Sequence, residues 1–171
     1  HGTGCEARNR TPGMYASAET LAWTSADTVT FGAYINGESA IARVGLTGGD
    51  AKTLLHGPEF LTADSSGGSD TGVSLSRDGS VIAAIGQSGS MAPEVWAGPI
   101  HDWQKITNLN AGLKPAWGGV RNVHWQNGDT RVQGWLFLPR NYDPQKKYPL
   151  VVTAQDGPPW ACSNILGGPH P

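Results

Sequence analysis

The sequence predicts a mainly β protein built from repeated units of four short strands. Glycine occurs 24 times and proline 12 times, together with 7 tryptophans, a combination typical of short strands joined by frequent turns. Strand-like segments and turn residues recur in the same order at a spacing of about 50 residues, and no long amphipathic helical pattern interrupts them. Four-stranded units of this length are typical of β-propeller blades, so about two blades are expected.

The first predicted unit contains four strand-like segments. Residues 21–23 and 28–34 are rich in β-branched and aromatic side chains, and Asn36-Gly37 follows them directly. An Asn-Gly pair favours a two-residue hairpin turn, because both of its residues accept positive φ. Residues 40–46 then form the return strand, and residues 51–55 form a shorter fourth one.

The second unit follows the same order. It consists of segments 73–75, 81–85, 94–98 and 103–107, with turns at 77–79 and 86–90. Aligning Leu21 with Val73 and Val29 with Val81 requires one common offset, which is the evidence for a repeat. Between the units, residues 57–72 are rich in Ser, Gly and Asp and are predicted to form a surface loop.

Composition excludes some classes of function. Charged residues make up 15% of the chain and the net charge is −2, which argues against nucleic-acid binding and an anionic membrane surface. No apolar run approaches the length of a membrane-spanning helix. Cys5 and Cys162 lie too far apart for a metal motif or a disulfide framework, so two free thiols are expected and the compartment and oligomeric state stay open. A chain that starts at His1 and ends on Gly-Gly-Pro-His-Pro is expected to be a fragment.

The pattern changes character beyond residue 119. Residues 132–139 form one more strand-like segment, and residues 148–153 form an apolar one with little alternation, as expected of a strand buried on both faces. Together with preceding phrases, these segments carry a resemblance to the prolyl oligopeptidase family of serine peptidases, including its dipeptidyl-peptidase-like and acylaminoacyl-peptidase-like members. The phrases are residues 94–96, 106–110, 123–125, 132–139, 142–144, 147–152 and 156–158.

The resemblance implies a fold and a division into domains. In that family a β-propeller caps an α/β-hydrolase domain. The expected fold is therefore mainly β, a partial β-propeller of about two blades followed by the first strands of an α/β-hydrolase domain. Residues 1–117 would be the C-terminal blades, and residues 118–171 the linker and the truncated N-terminal strands of the peptidase domain.

The resemblance also implies an oxyanion loop, and here the sequence departs from the family pattern. Where the family has His-Gly-Gly-Pro or Tyr-Gly-Gly-Pro after the apolar strand, this chain has Gln155-Asp156-Gly157-Pro158. The Gln155 amide is a candidate oxyanion donor, whereas the Asp156 carboxylate would place an acceptor beside a developing anion. Trp160, just beyond, is a candidate substrate contact.

No catalytic triad is predicted within the chain. Residues 86–90 (Gly-Gln-Ser-Gly-Ser) come close to a nucleophile elbow, but Ser88 lies at a predicted hairpin and not before a helix. His56, His101 and His124 fall in separate strands or turns, without metal-ligand spacing, and His124 is interpreted as a structural histidine. The resemblance implies a Ser-Asp-His triad beyond residue 171, so this chain alone is expected to be inactive, with no cofactor and no metal.

Three functions are consistent with the sequence. The first is a fragment of a serine peptidase that hydrolyses short peptides, with peptide substrates as the partners of the full-length protein. The second is a propeller-type binding or scaffold module without catalysis. The third is an esterase-like α/β hydrolase. Because two blades leave open sheet edges, the isolated chain is also expected to fold poorly on its own.

Overall fold

A computed structural model describes residues 7–62 and 73–154. In these ranges the chain forms eleven β-strands and no helix, so the prediction of a mainly β fold is confirmed. The strands form three antiparallel sheets, none of them closed into a barrel. No helix in the described ranges is long and apolar enough to span a membrane.

The first sheet contains the four strands of the first predicted unit, in chain order. They are β1 (Ser17–Trp23), β2 (Thr28–Ile35), β3 (Glu38–Gly45) and β4 (Lys52–Gly57), each antiparallel to the next. Asn36 and Gly37 have φ angles of 53° and 78°, as the hairpin turn predicted for this pair requires. The sequence therefore places this turn correctly.

The second sheet contains β5 (Phe60–Thr62), β6 (Ser74–Leu75), β7 (Val81–Ser88), β8 (Met91–Pro99) and β9 (Gln104–Lys105). Both β5 and β6 pair with the same edge of β7, with Thr62 opposite Ile85 and Ser74 opposite Ala83. They occupy successive parts of one edge position, which β1 fills in the first sheet. The interpretation of residues 57–72 as loop throughout is therefore wrong at 60–62, where backbone pairing with β7 overrides a turn-rich local composition; residues 63–72 lie outside the described ranges.

The predicted repeat corresponds to the two sheets, with one correction to its register. The central hairpins are equivalent, since Thr28 and Val81 begin β2 and β7, and Glu38 and Met91 begin β3 and β8, both 53 positions apart. Val29 is therefore equivalent to Ile82 rather than to Val81. The turn after β6 is one residue longer than the turn after β1, and this shifts the second strand while leaving the first in place.

The remaining strands, β10 (Val120–Asn127) and β11 (Thr130–Phe137), form a two-stranded hairpin. The segment 148–153, predicted to be a buried strand, belongs to no strand of the structure. Leu150, Val151 and Val152 are 72%, 87% and 79% exposed. The prediction is therefore wrong for this chain, because none of the described strands pairs with the segment or covers its apolar side chains.

The main core lies between the first and second sheets. Ile41 from β3 and Ile82 from β7 are fully buried there, together with Leu61, Ala84 and Ile100. Residues of β4 and β6 pack around this cluster. A separate cluster on the first sheet contains Phe31, Ala33, Ala42 and Val44. The two sheets thus share one apolar interface, as stacked repeats must in order to cover their faces.

Candidate functional site: a cavity between two sheets

A cavity of about 170 Å³ lies at the edge of the core between the first and second sheets. Residues of β3 and β4 form one side, and residues of β5, β7 and β8 form the other. The lining is mostly apolar: Leu55, Leu61, Gly86, Met91, Trp96 and Trp103. The exposed side chains His56 and Glu59 also contribute to its wall. The cavity therefore has an apolar interior beside polar, solvent-exposed groups.

Gly86 lies in the cavity wall, where Trp96 packs against it. It pairs with Leu61 of β5 and follows the buried Ala84 on the same face of β7. A Cβ atom added at Gly86 would lie 3.0 Å from Trp96 Cδ1, 3.2 Å from Trp96 Nε1 and 3.6 Å from Leu61 Cδ2. The indole of Trp96 thus packs directly over the glycine backbone, a contact that a larger residue at position 86 would displace.

Trp96 carries an unusual polar atom at this place. Its ring packs against that of Trp103, with centroids 5.7 Å apart and planes inclined at 44°. Its Nε1 atom is buried and has no hydrogen-bond acceptor among the described residues. Buried indole N–H groups usually have a partner, because leaving a donor unsatisfied costs about 1–3 kcal/mol. This indole N–H is therefore a buried donor without a partner among the described residues.

A chain of polar side chains runs from the cavity wall to the third sheet. His56 Nε2 lies 3.1 Å from Glu38 Oε2, and Asn122 Nδ2 donates to Glu38 Oε1 over 3.0 Å. Gln133 Nε2 in turn donates to Asn122 Oδ1 over 2.8 Å. The chain connects β4, β3, β10 and β11, so it orients the β10–β11 hairpin on the first sheet.

A second polar network surrounds Glu94 on β8, which is only 5% exposed. Its carboxylate accepts hydrogen bonds from the Thr107 hydroxyl, from Leu109 N over 3.1 Å and from Asn110 N over 2.7 Å. Asn110 Nδ2 also donates to the carbonyl of Pro93. Hydrogen bonds therefore join two of the segments that carry the family resemblance, 94–96 and 106–110, although these segments are separate in sequence.

The Glu94 network holds the pKa of that carboxyl below its ordinary value. The Thr107 hydroxyl contributes most, followed by the backbone N–H of Asn110, because hydrogen bonds to the ionised form stabilise it. A lowered pKa in the folded state means that ionised Glu94 stabilises the fold above the ordinary pKa of 4.5. This stabilisation is lost as the pH falls through the lower, folded-state value.

Replacing this carboxylate should therefore destabilise the protein in a pH-dependent way. We expect Glu94→Gln to lower the melting temperature by several degrees near neutral pH, because the amide is uncharged and adds a donor among donors. The difference from wild type should shrink once the pH falls below 4.5. Thermal melts across this pH range measure it. Glu59→Gln removes the same charge from an exposed side chain; an equal loss in both variants, or one that does not depend on pH, would contradict the assignment.

The residues predicted to serve chemistry do not converge in the described ranges. Gln155, Asp156 and Trp160, as well as Cys5 and Cys162, lie outside them. Ser88 is at the end of β7, its hydroxyl 3.3 Å from that of Ser90 in the following turn, so the hairpin interpretation is correct and residues 86–88 belong to the strand.

The histidines are dispersed, but one of them has a partner that sequence reasoning missed. His101 and His124 are exposed, so burial does not support the interpretation of His124 as a structural residue. His56 lies opposite Ala40 in the pairing of β4 with β3, which brings Glu38 within reach on the adjacent strand. No group of three potential metal ligands occurs in the described part of the chain.

The cavity also was not predicted from the sequence. Two of its tryptophans, Trp96 and Trp103, pack against each other. The available signal was a glycine inside a strand pattern, Gly86, which indicates that a neighbouring group approaches the backbone closely. Gly86, predicted to begin a turn, instead lies within β7.

The described residues thus define a protein of stacked antiparallel sheets with a small cavity between two of them. No protein-family model matches the sequence, and the curated proteins contain no match either. Among solved structures, the fold is similar to that of the AtxE2 isopeptidase, a variant with Astexin3-dC4 bound. The likeness has a TM-score of 0.55 at 13% identity and covers 82% of this chain but only 20% of the isopeptidase chain. It shows a shared fold over about one fifth of that protein's length.

Proposed function

We propose that this chain is part of a serine peptidase of the prolyl oligopeptidase type. In this proposal it contributes blades of a β-propeller and the first strands of the α/β-hydrolase domain. The observation that carries the proposal is the structural likeness of 82% of the chain to part of an isopeptidase. The isopeptidase and the family that residues 94–158 resemble both cleave amide bonds. The first likeness is one of structure, and the second is one of sequence.

The exposed apolar surface of the described residues supports this proposal. Leu150, Val151 and Val152 follow one another with their side chains in solvent, and Trp125 on β10 is 50% exposed. Large apolar side chains exposed next to one another, as at residues 150–152, often mark a surface that contacts another protein surface. In the proposed protein, the rest of the hydrolase sheet and its helices cover segment 148–153 on both faces, as its sequence pattern favours.

The Glu94 network supports the same assignment from a second direction. The segments that carry the family resemblance are widely spaced in sequence. Their order would support the proposal only weakly if none of them were in contact with another in the fold. Instead Glu94 binds residues 107–110 directly, and the phrases 123–125 and 132–139 face each other in the β10–β11 ladder. Each of these pairs of phrases thus corresponds to contacts within one unit of the fold, the second sheet with its following turn or the β10–β11 hairpin.

The proposal assigns roles to residues outside the described ranges. Gln155 would supply an oxyanion donor after segment 148–153, and Trp160 would contact the substrate. The nucleophilic serine, the aspartate and the histidine would lie further along the gene product. Substrates would be short peptides, and the likeness to an isopeptidase adds the isopeptide bond as a second class of scissile bond.

The gene sequence downstream of residue 171 and an activity assay test the proposal. We expect Gly-x-Ser-x-Gly followed by Asp and His, and hydrolysis of peptide anilides or isopeptide-linked peptides by the intact gene product. Serine-directed reagents and replacement of the elbow serine by alanine should abolish turnover, and the 171-residue chain alone should be inactive. Absence of the downstream motif would refute the proposal, and faster turnover of nitrophenyl esters than of any peptide would favour an esterase.

A further inference from the structure

The sequence contains two Asn-Gly pairs, and each lies at the turn of a β-hairpin. Asn36-Gly37 connects β2 to β3, and Asn127-Gly128 lies where β10 turns into β11. Asparagine is one of the thermolabile residues of proteins. A glycine after it leaves the approach to the asparagine side chain open, because glycine has no Cβ. The two pairs therefore have the same local chemistry, and their surroundings in the fold distinguish them.

The β10–β11 hairpin covers the Asn36-Gly37 turn. Asn122 Nδ2 donates to the carbonyl of Asn36 over 3.1 Å. The Gln133 side chain lies so close to Gly37 that an added Cβ would collide with its amide. Gln133 is itself held by Asn122, because its Nε2 donates to Asn122 Oδ1 over 2.8 Å. Opening this turn therefore requires breaking the bond to Asn36 and displacing the Gln133 amide.

The Asn127-Gly128 turn has no such cover among the described residues. Asn127, Gly128, Asp129 and Thr130 are all exposed, and a Cβ added at Gly128 would meet no atom within 4 Å. The pairing of Asn127 with Thr130 is the last of the β10–β11 ladder, and the ends of strands open at little cost in free energy. When this pair opens, the Asn127 side chain can reach the backbone nitrogen of Gly128.

We propose that Asn127 is a site of spontaneous deamidation, whereas the β10–β11 hairpin protects Asn36 from the same reaction. The backbone nitrogen of Gly128 loses its proton and bonds to Cγ of Asn127. The bond between Cγ and Nδ2 breaks, and the side-chain nitrogen leaves as ammonia. Water then opens the succinimide ring at either carbonyl, which gives aspartate or an isoaspartate. This inference does not depend on the peptidase assignment, since the reaction uses no catalytic residue.

The reaction changes the hairpin in two ways. Both products add a negative charge beside Asp129, which follows Gly128 in the turn. Isoaspartate also adds a methylene group to the backbone, although the register pairs Asn127 with Thr130 across only two residues. Because the length of a hairpin loop determines its turn type, the isoaspartate form should lose the pairing at this end of the ladder.

Peptide mapping by mass spectrometry follows both sites in the intact gene product at mildly alkaline pH, where the glycine nitrogen loses its proton more readily. We expect aspartate and isoaspartate to accumulate at position 127 at least about tenfold faster than at position 36. The reason is that opening the covered turn breaks a hydrogen bond and displaces a packed side chain. In urea, which unfolds the protein and uncovers both pairs, the two rates should become similar.

Four variants test the cause of the difference. Asn122→Ala removes the donor to Asn36 and should raise the rate at position 36 several-fold. Gln133→Ala uncovers Gly37 and should act in the same direction, so it tests the protection if Asn122→Ala does not fold. His124→Ala changes an exposed side chain on the same strand as Asn122 and should leave the rate at position 36 unchanged. Asn127→Gln keeps an amide on a longer side chain and should abolish the reaction at position 127.

Three results would overturn the inference. The first is equal rates at the two sites in the folded protein. The second is a difference that persists in urea, since it would then come from the flanking residues and not from the fold. The third is an unchanged rate at position 36 in both Asn122→Ala and Gln133→Ala, which would show that the hairpin does not protect this turn.

Discussion

Ile82→Ala should destabilise the protein by about 2–5 kcal/mol. Ile82 is fully buried in β7 and packs in the cluster that joins the first and second sheets. Truncation removes apolar contacts on both sides of the interface and leaves a cavity, because residues anchored in two separate sheets cannot collapse fully into the space. Urea unfolding of the intact gene product, followed by tryptophan fluorescence, measures the change in free energy.

The adjacent residue provides the control. Val81 begins the same strand but is 43% exposed, so Val81→Ala should cost less than about 1 kcal/mol. Equal losses in the two variants would show that strand propensity, and not the interface between the sheets, determines stability at this point. A loss of less than about 1 kcal/mol for Ile82→Ala would show that the sheets do not share a tightly packed core.

Gly98→Ala should cost on the order of 3 kcal/mol, for two reasons that act together. Gly98 has a φ of 146°, a conformation that residues with a Cβ rarely adopt. An added Cβ would also lie 2.8 Å from Asp102 O and 2.9 Å from Trp103 Cα. Both are backbone atoms, so the turn between β8 and β9 has to move, and Trp103 would move away from the cavity with it. The same urea unfolding measures this loss.

Two other glycines separate these contributions. Gly128 also has positive φ, at 59°, but nothing lies within 4 Å of its added Cβ, and Gly112 has neither feature. Gly128→Ala should therefore show the conformational cost alone, about 1 kcal/mol, and Gly112→Ala should be nearly neutral. If Gly98→Ala lowers the free energy of unfolding no more than Gly128→Ala does, the close approach of the β8–β9 turn to Gly98 would be refuted.

The repeated sheets are the part of the fold that the sequence predicts best. The preference of Asn36-Gly37 for positive φ is a local property, so it predicts the hairpin turn independently of how the strands pack in the fold. The periodic strand segments also determine that β2 pairs with β3 and β7 with β8. In contrast, Phe60–Thr62 lies in a turn-rich stretch and becomes a strand only because β7 offers it a free edge.

The candidate site depends on contacts that no local pattern encodes. Glu38 and His56 are 18 positions apart, and they meet only because β3 and β4 pair in a register that aligns Ala40 with His56. The Glu94 contacts with residues 107–110 likewise require the chain to return past β9. The sequence shows which residues are polar, but the register determines which of them become partners.

By itself, the sequence determined a mainly β chain, the repeat of its central hairpins and the order of the phrases that resemble a peptidase. The first two follow from side-chain periodicity and turn preference, which act over a few residues, whereas the third is a resemblance to a family pattern. Only the tertiary structure decided that β5 and β6 share one edge of β7, that segment 148–153 is left uncovered and that Trp96 and Gly86 border a cavity. Each of these depends on the free energy of packing between distant segments, which is fixed only when two surfaces meet.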